Sequence, residues 1–331
     1  MVISGMSFLL ILPAMILLMV VLDLAHCGAN SNSLALESES VVQTLKDLEA
    51  NIPVIGEQVL QTTAEKVVET GDPLSNSRLT VRDDMQCRMN QICADYHKNT
   101  GLKVECHIKS VESSADPFQI EINSTITVSK DRVVHEKNLT QYASLIDPQY
   151  PMLNPLPFIK CKNYGGAQAV GNRIHFGSSL SAYLKARDVE NATAYENAST
   201  ALIIKKCSYD PYIMHGRGDT VPPEICILKN CIENGYFHES ADGSCFLCRL
   251  EGRGTCPHYG METFIVPCVS NNSSLTFAPS SIDHVIFNDT PPGTGIYQGK
   301  AIIYYSEGSN CFKMFLDNSH RSKYGLPPFY E

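Results

Sequence analysis

The chain has 331 residues, of which 44% are hydrophobic and 18% charged, with no tryptophan and a formal net charge of -9. This length allows one large domain or two, and the apolar fraction is that of an ordinary globular protein. The negative charge argues against a nucleic-acid partner, because phosphate binding needs a positive face.

The N-terminus carries an apolar run of fifteen residues, from Phe8 to Leu22. Such a run fits the core of a signal peptide and is short for a bilayer-spanning helix. We therefore assign residues 1–29 as a signal peptide that is cleaved near Cys27 or Ala29. The mature chain is predicted to be secreted and extracellular, with no membrane contact after cleavage. The first seven residues contain no Lys or Arg, which leaves an uncleaved anchor as the alternative.

Cysteines and glycosylation sequons agree with secretion. Without Cys27, twelve of the thirteen cysteines remain, an even number that suits six disulfides. Disulfides are predicted among Cys87, Cys93, Cys106, Cys161, Cys207, Cys226, Cys231, Cys245, Cys248, Cys256, Cys268 and Cys311. Seven Asn-x-Ser/Thr sequons predict glycosylation at Asn123, Asn138, Asn191, Asn197, Asn271, Asn272 and Asn288. Both features are typical of a secretory glycoprotein.

Residues 30–72 are predicted to form a helical segment. Their apolar residues follow a 4-3-4-3-4 spacing that predicts one buried stripe: Val41, Leu45, Leu48, Ile52, Ile55 and Val59. Pro53 interrupts this stripe, and a proline inside a helix removes a backbone donor and clashes with the preceding turn. We therefore expect two helices that form a hairpin, followed by a polar linker from Leu74 to Asp84. The spacing also fits a short coiled coil, which would make the protein an oligomer through residues 34–70.

Residues 73–225 are predicted to form a β-rich glycosylated domain. Its clearest element runs from Phe118 to Ser129, where apolar and polar residues alternate and Asn123 falls on the solvent face. Four prolines predict a loop over residues 147–158. A short helix is expected from Ser178 to Arg187, and a short strand from Ala201 to Ile204.

Arg217, Gly218 and Asp219 lie between Cys207 and Cys226. This tripeptide resembles the one that integrins read in many matrix proteins, where the guanidinium and the carboxylate reach two separate receptor groups. Glycines and prolines around it favour an exposed turn. We therefore predict receptor binding through these three residues, with a glycine turn that only carries surface charges as the alternative.

Residues 226–268 are predicted to form a cysteine-rich module, with six cysteines in 43 residues. The segment has too few aliphatic residues to bury a core of its own, so cross-links must hold it. In a reducing compartment these would be zinc bonds from three cysteines and one histidine: Cys245, Cys248, Cys256 and His258. In an oxidising compartment the same cysteines form disulfides. The predicted signal peptide favours disulfides, so neither a metal nor a cofactor is predicted.

The order of Cys231, Asn234-Gly235 and Tyr236, followed by a C-x-x-C pair and Gly252, resembles a von Willebrand factor type C module. The resemblance covers residues 231–268 and implies an interaction unit of the extracellular matrix. This chain departs from the family at Leu250, where the family has a third cysteine. The resemblance therefore assigns no binding residue here.

The C-terminal residues 269–331 are predicted to form a β segment. Three short apolar runs, which begin at His284, Ala301 and Phe312, are rich in β-branched and aromatic residues. We expect them to complete a sheet that begins earlier in the chain, with Cys311 bonded to an upstream cysteine.

The sequence therefore predicts a mainly β, disulfide-rich fold with an N-terminal helical segment, α+β overall. No GxSxG, HExxH or EF-hand motif is present and the ten histidines show no paired metal spacing, so we predict a protein that is not an enzyme. The predicted function is that of a component of the extracellular matrix, including the organic matrix of a mineralised tissue, or of an adhesive surface. Its partner would be an extracellular protein or a cell-surface receptor such as an integrin. The alternatives are a soluble secreted ligand or receptor-binding factor, including a viral envelope-type glycoprotein, and a secreted hydrolase whose catalytic groups converge only in the fold.

Overall fold

The computed structural model describes residues 4–131, 133–189, 192–216, 227–266, 277–288, 302–307, 310–316 and 318–326. The α-helices in these ranges are α1 (Ser4–Thr70), α2 (Ser77–Thr100), α3 (Leu156–Cys161), α4 (Ser179–Lys185), α5 (Ile227–Asn234), α6 (Phe246–Leu250), α7 (Asp283–Ile286) and α8 (Asn318–Lys323). The strands are β1 (Lys103–Ser113), β2 (Gln119–Lys130), β3 (Val133–Ser144), β4 (Gln168–Val170), β5 (Arg173–His175), β6 (Ser199–Ala201), β7 (His238–Ser240), β8 (Gly260–Glu262), β9 (Phe264–Ile265), β10 (Phe277–Ile282), β11 (Ile302–Glu307) and β12 (Asn310–Phe315).

Helix α1 continues through Pro53, so the predicted break at this residue is wrong. Five of the six residues of the predicted stripe are buried, and only Leu45 is half-buried. A proline in a helix interior costs about 3 kcal/mol, whereas burial of one Val, Leu or Ile side chain contributes about 1.5–3 kcal/mol. The buried stripe therefore outweighs the proline.

Helix α2 begins at Ser77, inside the stretch predicted to be a polar linker. Its buried side chains recur every four residues, at Val81, Met85, Met89 and Cys93. This spacing places them on one helical face and explains why a largely polar sequence forms a helix. The linker between α1 and α2 is therefore confined to residues 71–76.

Strand β2 confirms the predicted alternation. Ile120, Ile122, Ile126 and Val128 are buried, while the intervening side chains are half-buried. The Asn123 Nδ2 atom on the other face donates hydrogen bonds to Glu121 and to Ser110 on β1. Strands β1, β2 and β3 form one sheet in that order, because short connections join consecutive strands.

The proline-rich stretch is a loop up to Pro155, and α3 then begins at Leu156. Pro157 lies in the first turn of this helix, where its missing N–H would have had no intrahelical partner. The short helix predicted from Ser178 to Arg187 is confirmed as α4.

The C-terminal strands β11 and β12 confirm two of the three predicted runs. They form a sheet of order β11-β12-β10-β9, in which β10 pairs in parallel with β12 and antiparallel with β9. The third run, at His284, forms helix α7 instead of a strand. Helix α7 has no side-chain N-cap, and the Asp283 carboxylate instead pairs with Arg249 and accepts the backbone N–H of Thr263, so tertiary contacts fix this turn. The predicted Cys311 disulfide concerns a side chain outside the described ones.

The chain divides into two compact units. The first comprises Met1–Ile52, Cys87–His107 and Ser124–Leu139, and the second comprises Pro53–Gln86, Ile108–Asn123 and Thr140–Glu331. Within the second unit, one apolar core surrounds α3 and α4, and includes Leu156, Leu180 and Phe287. A second core joins α5 to β9, β10 and the end of α8, through residues that include Ile232 and Tyr324.

The fold is therefore mixed α and β, with an N-terminal helical segment as predicted. It is not mainly β, because α1 and α2 span 67 and 24 residues while the sheets are small. It is not disulfide-rich either, since none of the nine cysteines with a described side chain forms a disulfide. Among the described residues, no helix combines the length and the apolar character needed to cross a membrane.

Candidate metal centres

Three groups of cysteine, histidine and glutamate side chains converge in the second unit, and the ligand atoms of each group lie within 4.8 Å of one another. We name them centre 1 (Cys207, His215, Cys231 and His238), centre 2 (Cys245, Cys248, Cys256 and His258) and centre 3 (Glu262, His284 and His320).

Four separate chain segments supply centre 1. The backbone N–H of Cys207 donates to the carbonyl of Phe237 at 2.8 Å, which places Cys207 beside His238, the first residue of β7. Cys231 projects from α5, and His215 follows a short 3-10 helix, Tyr212–Met214. Because backbone pairing and helices set these positions, the four side chains are brought together by the fold itself.

All four side chains of centre 1 are buried. The Cys207 Sγ atom lies 3.4 Å from Cys231 Sγ and 3.4 Å from His215 Nε2. A hydrogen bond from Cys231, together with His215 and His238, lowers the pKa of Cys207 to about 3, although burial raises it. Burial lowers the pKa of His238, which favours the neutral imidazole. Thiolate and neutral imidazole are the forms that bind metal ions.

His238 is fully buried, and apart from its interaction with Cys207 neither of its ring nitrogens has a hydrogen-bond partner among the described residues. A buried polar group without a partner costs about 1–3 kcal/mol. A metal ion bound at one of these nitrogens would remove part of this penalty.

Centre 2 is built around helix α6. Cys245 caps its N-terminus and Cys248 lies in its first turn. The chain reverses at Gly252, whose φ of 74° is readily adopted only by glycine, and returns with Cys256 and His258. The four ligands thus come from 14 consecutive residues, 245–258.

The His258 Nδ1 atom lies 3.8 Å from Cys245 Sγ and 3.6 Å from Cys248 Sγ. Hydrogen bonds from these two thiols hold the pKa of Cys256 well below its ordinary value. Hydrogen bonds to Cys245 and Cys256 raise the pKa of Cys248 in turn. Without a cation, one thiolate therefore suppresses the ionisation of the two neighbouring cysteines. A divalent cation between them would stabilise the thiolate form of all three cysteines.

The interatomic distances lie within about 0.4 Å of those expected around tetrahedral zinc. With Zn–S of about 2.3 Å and Zn–N of about 2.0–2.1 Å, two sulfurs lie about 3.8 Å apart, sulfur and nitrogen about 3.6 Å, and two nitrogens about 3.3–3.4 Å. A disulfide would require about 2.05 Å between sulfurs. The distances of 3.4–3.8 Å in centres 1 and 2 therefore fit shared coordination of one ion.

Centre 3 combines the last residue of β8, Glu262, with His284 in α7 and His320 in α8. The Glu262 Oε2 atom lies 3.1 Å from His284 Nε2 and 3.5 Å from His320 Nε2, and the two nitrogens are 3.3 Å apart. These three atoms form a nearly equilateral triangle. Its sides have the length expected between two ligand atoms of one zinc ion.

The second carboxylate oxygen of Glu262 is held separately. Tyr324 donates its hydroxyl hydrogen to Oε1, and the Lys323 ammonium lies 2.8 Å from the same atom. Burial raises the pKa of Glu262, but hydrogen bonds from His284 and His320 and the charge of Lys323 outweigh it and hold the pKa well below its ordinary value. The carboxylate is therefore ionised, with Oε2 facing the two imidazoles.

A buried ion pair connects the elements that carry centres 2 and 3. The Arg249 Nη1 atom lies 2.6 Å from Asp283 Oδ2, and both side chains are 0% exposed. Arg249 follows Cys248 in α6 and also donates to the carbonyl of Met261. Asp283 accepts the backbone N–H of His284 at 2.8 Å. Arg249 thus ties α6 to the residues next to Glu262 and His284.

The structure brings together the four residues of the alternative zinc prediction, which form centre 2. It does not test receptor binding, because Arg217, Gly218 and Asp219 lie outside the described residues. Cys226, Cys268, Asn191, Asn271 and Asn272 also lie outside them. Asn138 and Asn197 are exposed, whereas Asn123 and Asn288 are half-buried. Glycosylation, the matrix function and the resemblance to a von Willebrand factor type C module stay predictions.

Sequence reasoning missed centres 1 and 3. A signal for centre 1 was present, because two cysteines are each followed seven or eight residues later by a histidine: Cys207 by His215, and Cys231 by His238. Centre 3 has no local signal, since 58 positions separate Glu262 from His320. Scattered histidines therefore gave no reason to exclude a metal.

No protein-family model, curated protein or solved structure matches this chain.

Proposed function

We propose that this protein binds zinc and that centres 1 and 2 are structural zinc sites that hold residues 207–258 together. The observation that carries this proposal is the convergence of four cysteine and histidine ligand atoms in each centre, at the spacing of a zinc tetrahedron. Four protein ligands close the coordination sphere, which is typical of structural rather than catalytic zinc.

Charge supports the assignment at centre 1. Two thiolates and two neutral imidazoles carry a charge of about −2, which one Zn²⁺ neutralises. A neutral complex is the form that a fully buried site tolerates best, because an uncompensated buried charge is strongly destabilising.

At centre 2, three thiolates around Zn²⁺ leave about one negative charge, and this centre is only partly buried. Arg78 lies beside it. Burial lowers the pKa of Arg78, but its hydrogen bond to Glu112 and the neighbouring Cys245 and Cys248 raise it. The guanidinium is therefore placed to compensate the excess charge of the loaded site.

The proposal replaces the disulfide-rich interpretation of residues 226–268 by its zinc alternative. Among the described residues of this module, the cysteines converge with a histidine in a metal-like arrangement instead of pairing with one another. Segments with so few aliphatic residues depend on their cross-links for stability, and structural zinc supplies such links directly.

The metal content of the purified full-length chain tests the proposal. Mass spectrometry should find at least two equivalents of zinc in the wild type, and one fewer in Cys207→Ser and in Cys248→Ser. Cys87→Ser is the matched control, because Cys87 is exposed and belongs to none of the centres.

A second measurement remains informative if a ligand variant fails to fold. Titration of the wild type with a mercurial thiol reagent should release zinc in proportion to the thiols that react. A chain without zinc, whose cysteines are unreactive until a reductant is added, would show that disulfides hold the module and would overturn the proposal.

A further inference from the structure

Centre 3 differs from the other two centres in its number of ligands. It has three protein ligands, and within the described part of the chain no fourth cysteine, histidine or carboxylate joins the group. The nearby Asp283 is engaged by Arg249 and by the backbone N–H groups of Thr263 and His284. Two histidines and one glutamate are the protein ligands of typical catalytic zinc sites, in which water completes the tetrahedron.

Centre 3 borders a cleft. His284 and His320 line a cleft of about 530 Å³, together with Asp242, Asn288 and Ser319. Glu262 is fully buried behind them, and Tyr324 and Lys323 donate hydrogen bonds to its Oε1 atom. Glu262 is therefore held by Tyr324 and Lys323, while His284 and His320, which are 3% and 4% exposed, form part of the cleft wall.

The cleft also indicates the substrate class. The described residues that line it include the carboxylate of Asp242 and the centre 2 ligand Cys256, and no Lys or Arg. Sites that act on phosphate groups place cations around the anionic oxygens. An uncharged carbonyl group fits this lining better than a phosphate.

We propose that centre 3 binds a third zinc ion, open to the cleft, which activates a water molecule for hydrolysis of an ester or amide. The water oxygen forms a bond to the carbonyl carbon, and the bond from this carbon to the alcohol oxygen or amine nitrogen breaks. The leaving group takes the bonding electron pair and one proton of the water, and the acid retains the other oxygen-bound hydrogen. The step needs no oxidant or reductant.

Metal content tests the site itself, because this proposal goes beyond the structural role of centres 1 and 2. The full-length wild type should contain three equivalents of zinc, and His320→Gln should contain two. His175→Gln is the matched control, because His175 is exposed on β5 and belongs to no centre. Two equivalents in both the wild type and His320→Gln would overturn centre 3 while the structural proposal stands, and no zinc in any of them would overturn both.

The open position has its own spectroscopic test. In the cobalt-substituted wild type, acetohydroxamate should change the visible ligand-field bands, and the same change should appear in His175→Gln but not in His320→Gln. If acetohydroxamate leaves the bands of the wild type unchanged, the metal in centre 3 has no open coordination position. If His320→Gln does not fold, Glu262→Gln takes its place.

Hydrolysis is tested with p-nitrophenyl acetate and with p-nitrophenyl phosphate as probes. The wild type and His175→Gln should hydrolyse the acetate, whereas His320→Gln and the chelator-treated wild type should fall to the rate of the buffer. Hydrolysis of the phosphate alone would overturn the carbonyl assignment. Equal acetate rates in the wild type and His320→Gln would overturn catalysis at centre 3.

Discussion

Replacement of Arg249 by methionine should remove a substantial part of the stability of the second unit. The substitution deletes the 2.6 Å ion pair with Asp283 in a site where both side chains are 0% exposed. Removal of one partner of a buried pair costs about 3–5 kcal/mol, because it leaves the other charge uncompensated. The carbonyls of Ser244 and Met261 also lose a donor. We therefore expect a loss of about 4 kcal/mol, against a typical total stability of about 5–15 kcal/mol.

Urea unfolding of the zinc-loaded chain measures this loss. Far-ultraviolet circular dichroism is the suitable signal, because the protein contains no tryptophan. Arg82→Met is the matched control, since Arg82 pairs with Asp83 at the surface and should lose less than about 1 kcal/mol.

The double variant Arg249→Met/Asp283→Asn separates charge from packing. Asparagine keeps an oxygen that accepts the N–H groups of Thr263 and His284 but removes the buried charge. It should therefore be more stable than Arg249→Met alone. A loss below about 1 kcal/mol in the single variant, or no recovery in the double variant, would refute the role assigned to the ion pair.

Three further changes probe other parts of the second unit. Tyr324→Phe removes the hydroxyl that orients the centre 3 carboxylate and should weaken zinc binding there about 10- to 100-fold in a chelator competition, whereas unchanged affinity would contradict the role of the hydroxyl. Burial raises the pKa of Glu57, so the wild type loses stability as the pH rises through that pKa. Glu57→Gln, which keeps the acceptor for Ser144 N–H, should then be the more stable form in urea at pH 7 and equal to the wild type below about pH 4. Gly56→Ala would place its Cβ 2.7 Å from Ile122 Cδ1 and 3.0 Å from Ala143 Cβ, and the Ala143 methyl group cannot rotate away. The variant should lower the unfolding free energy by about 1–3 kcal/mol, and a stabilised variant would disprove that close approach.

Local patterns predicted the elements in which burial repeats at a fixed period. Strand β2 is recognisable because one of its faces is buried at every second residue. The stripe of α1 is recognisable for the same reason, but its continuity through Pro53 is not, since packing elsewhere offsets a local penalty. The run at His284 has no period, and four apolar or aromatic residues fit a strand or a helix equally well. Its conformation is fixed by tertiary contacts, which include the ion pair of Asp283 with Arg249.

The candidate centres likewise could be predicted from the sequence only where local sequence spacing sets their geometry. Centre 2 could be predicted because its ligands lie within 14 residues and one helix turn sets their geometry. Centre 3 depends on where β8, α7 and α8 meet, and no feature of Glu262, His284 or His320 in the sequence encodes that meeting. Tertiary structure is needed to assemble it.

The three centres enclose very different lengths of chain, which gives them an order of assembly. Their first and last ligands are 13 residues apart in centre 2, 31 in centre 1 and 58 in centre 3. Closing a loop costs about 0.6 kcal/mol more for each doubling of its length, so centre 3 carries about 1.3 kcal/mol more closure entropy than centre 2. During synthesis, centre 2 can form as soon as residue 258 has left the ribosome, whereas centre 3 waits for residue 320. A chain truncated before α8 would therefore keep centre 2 and lose centre 3, while centre 1 would lose the Tyr324 ring that packs against His215 and His238.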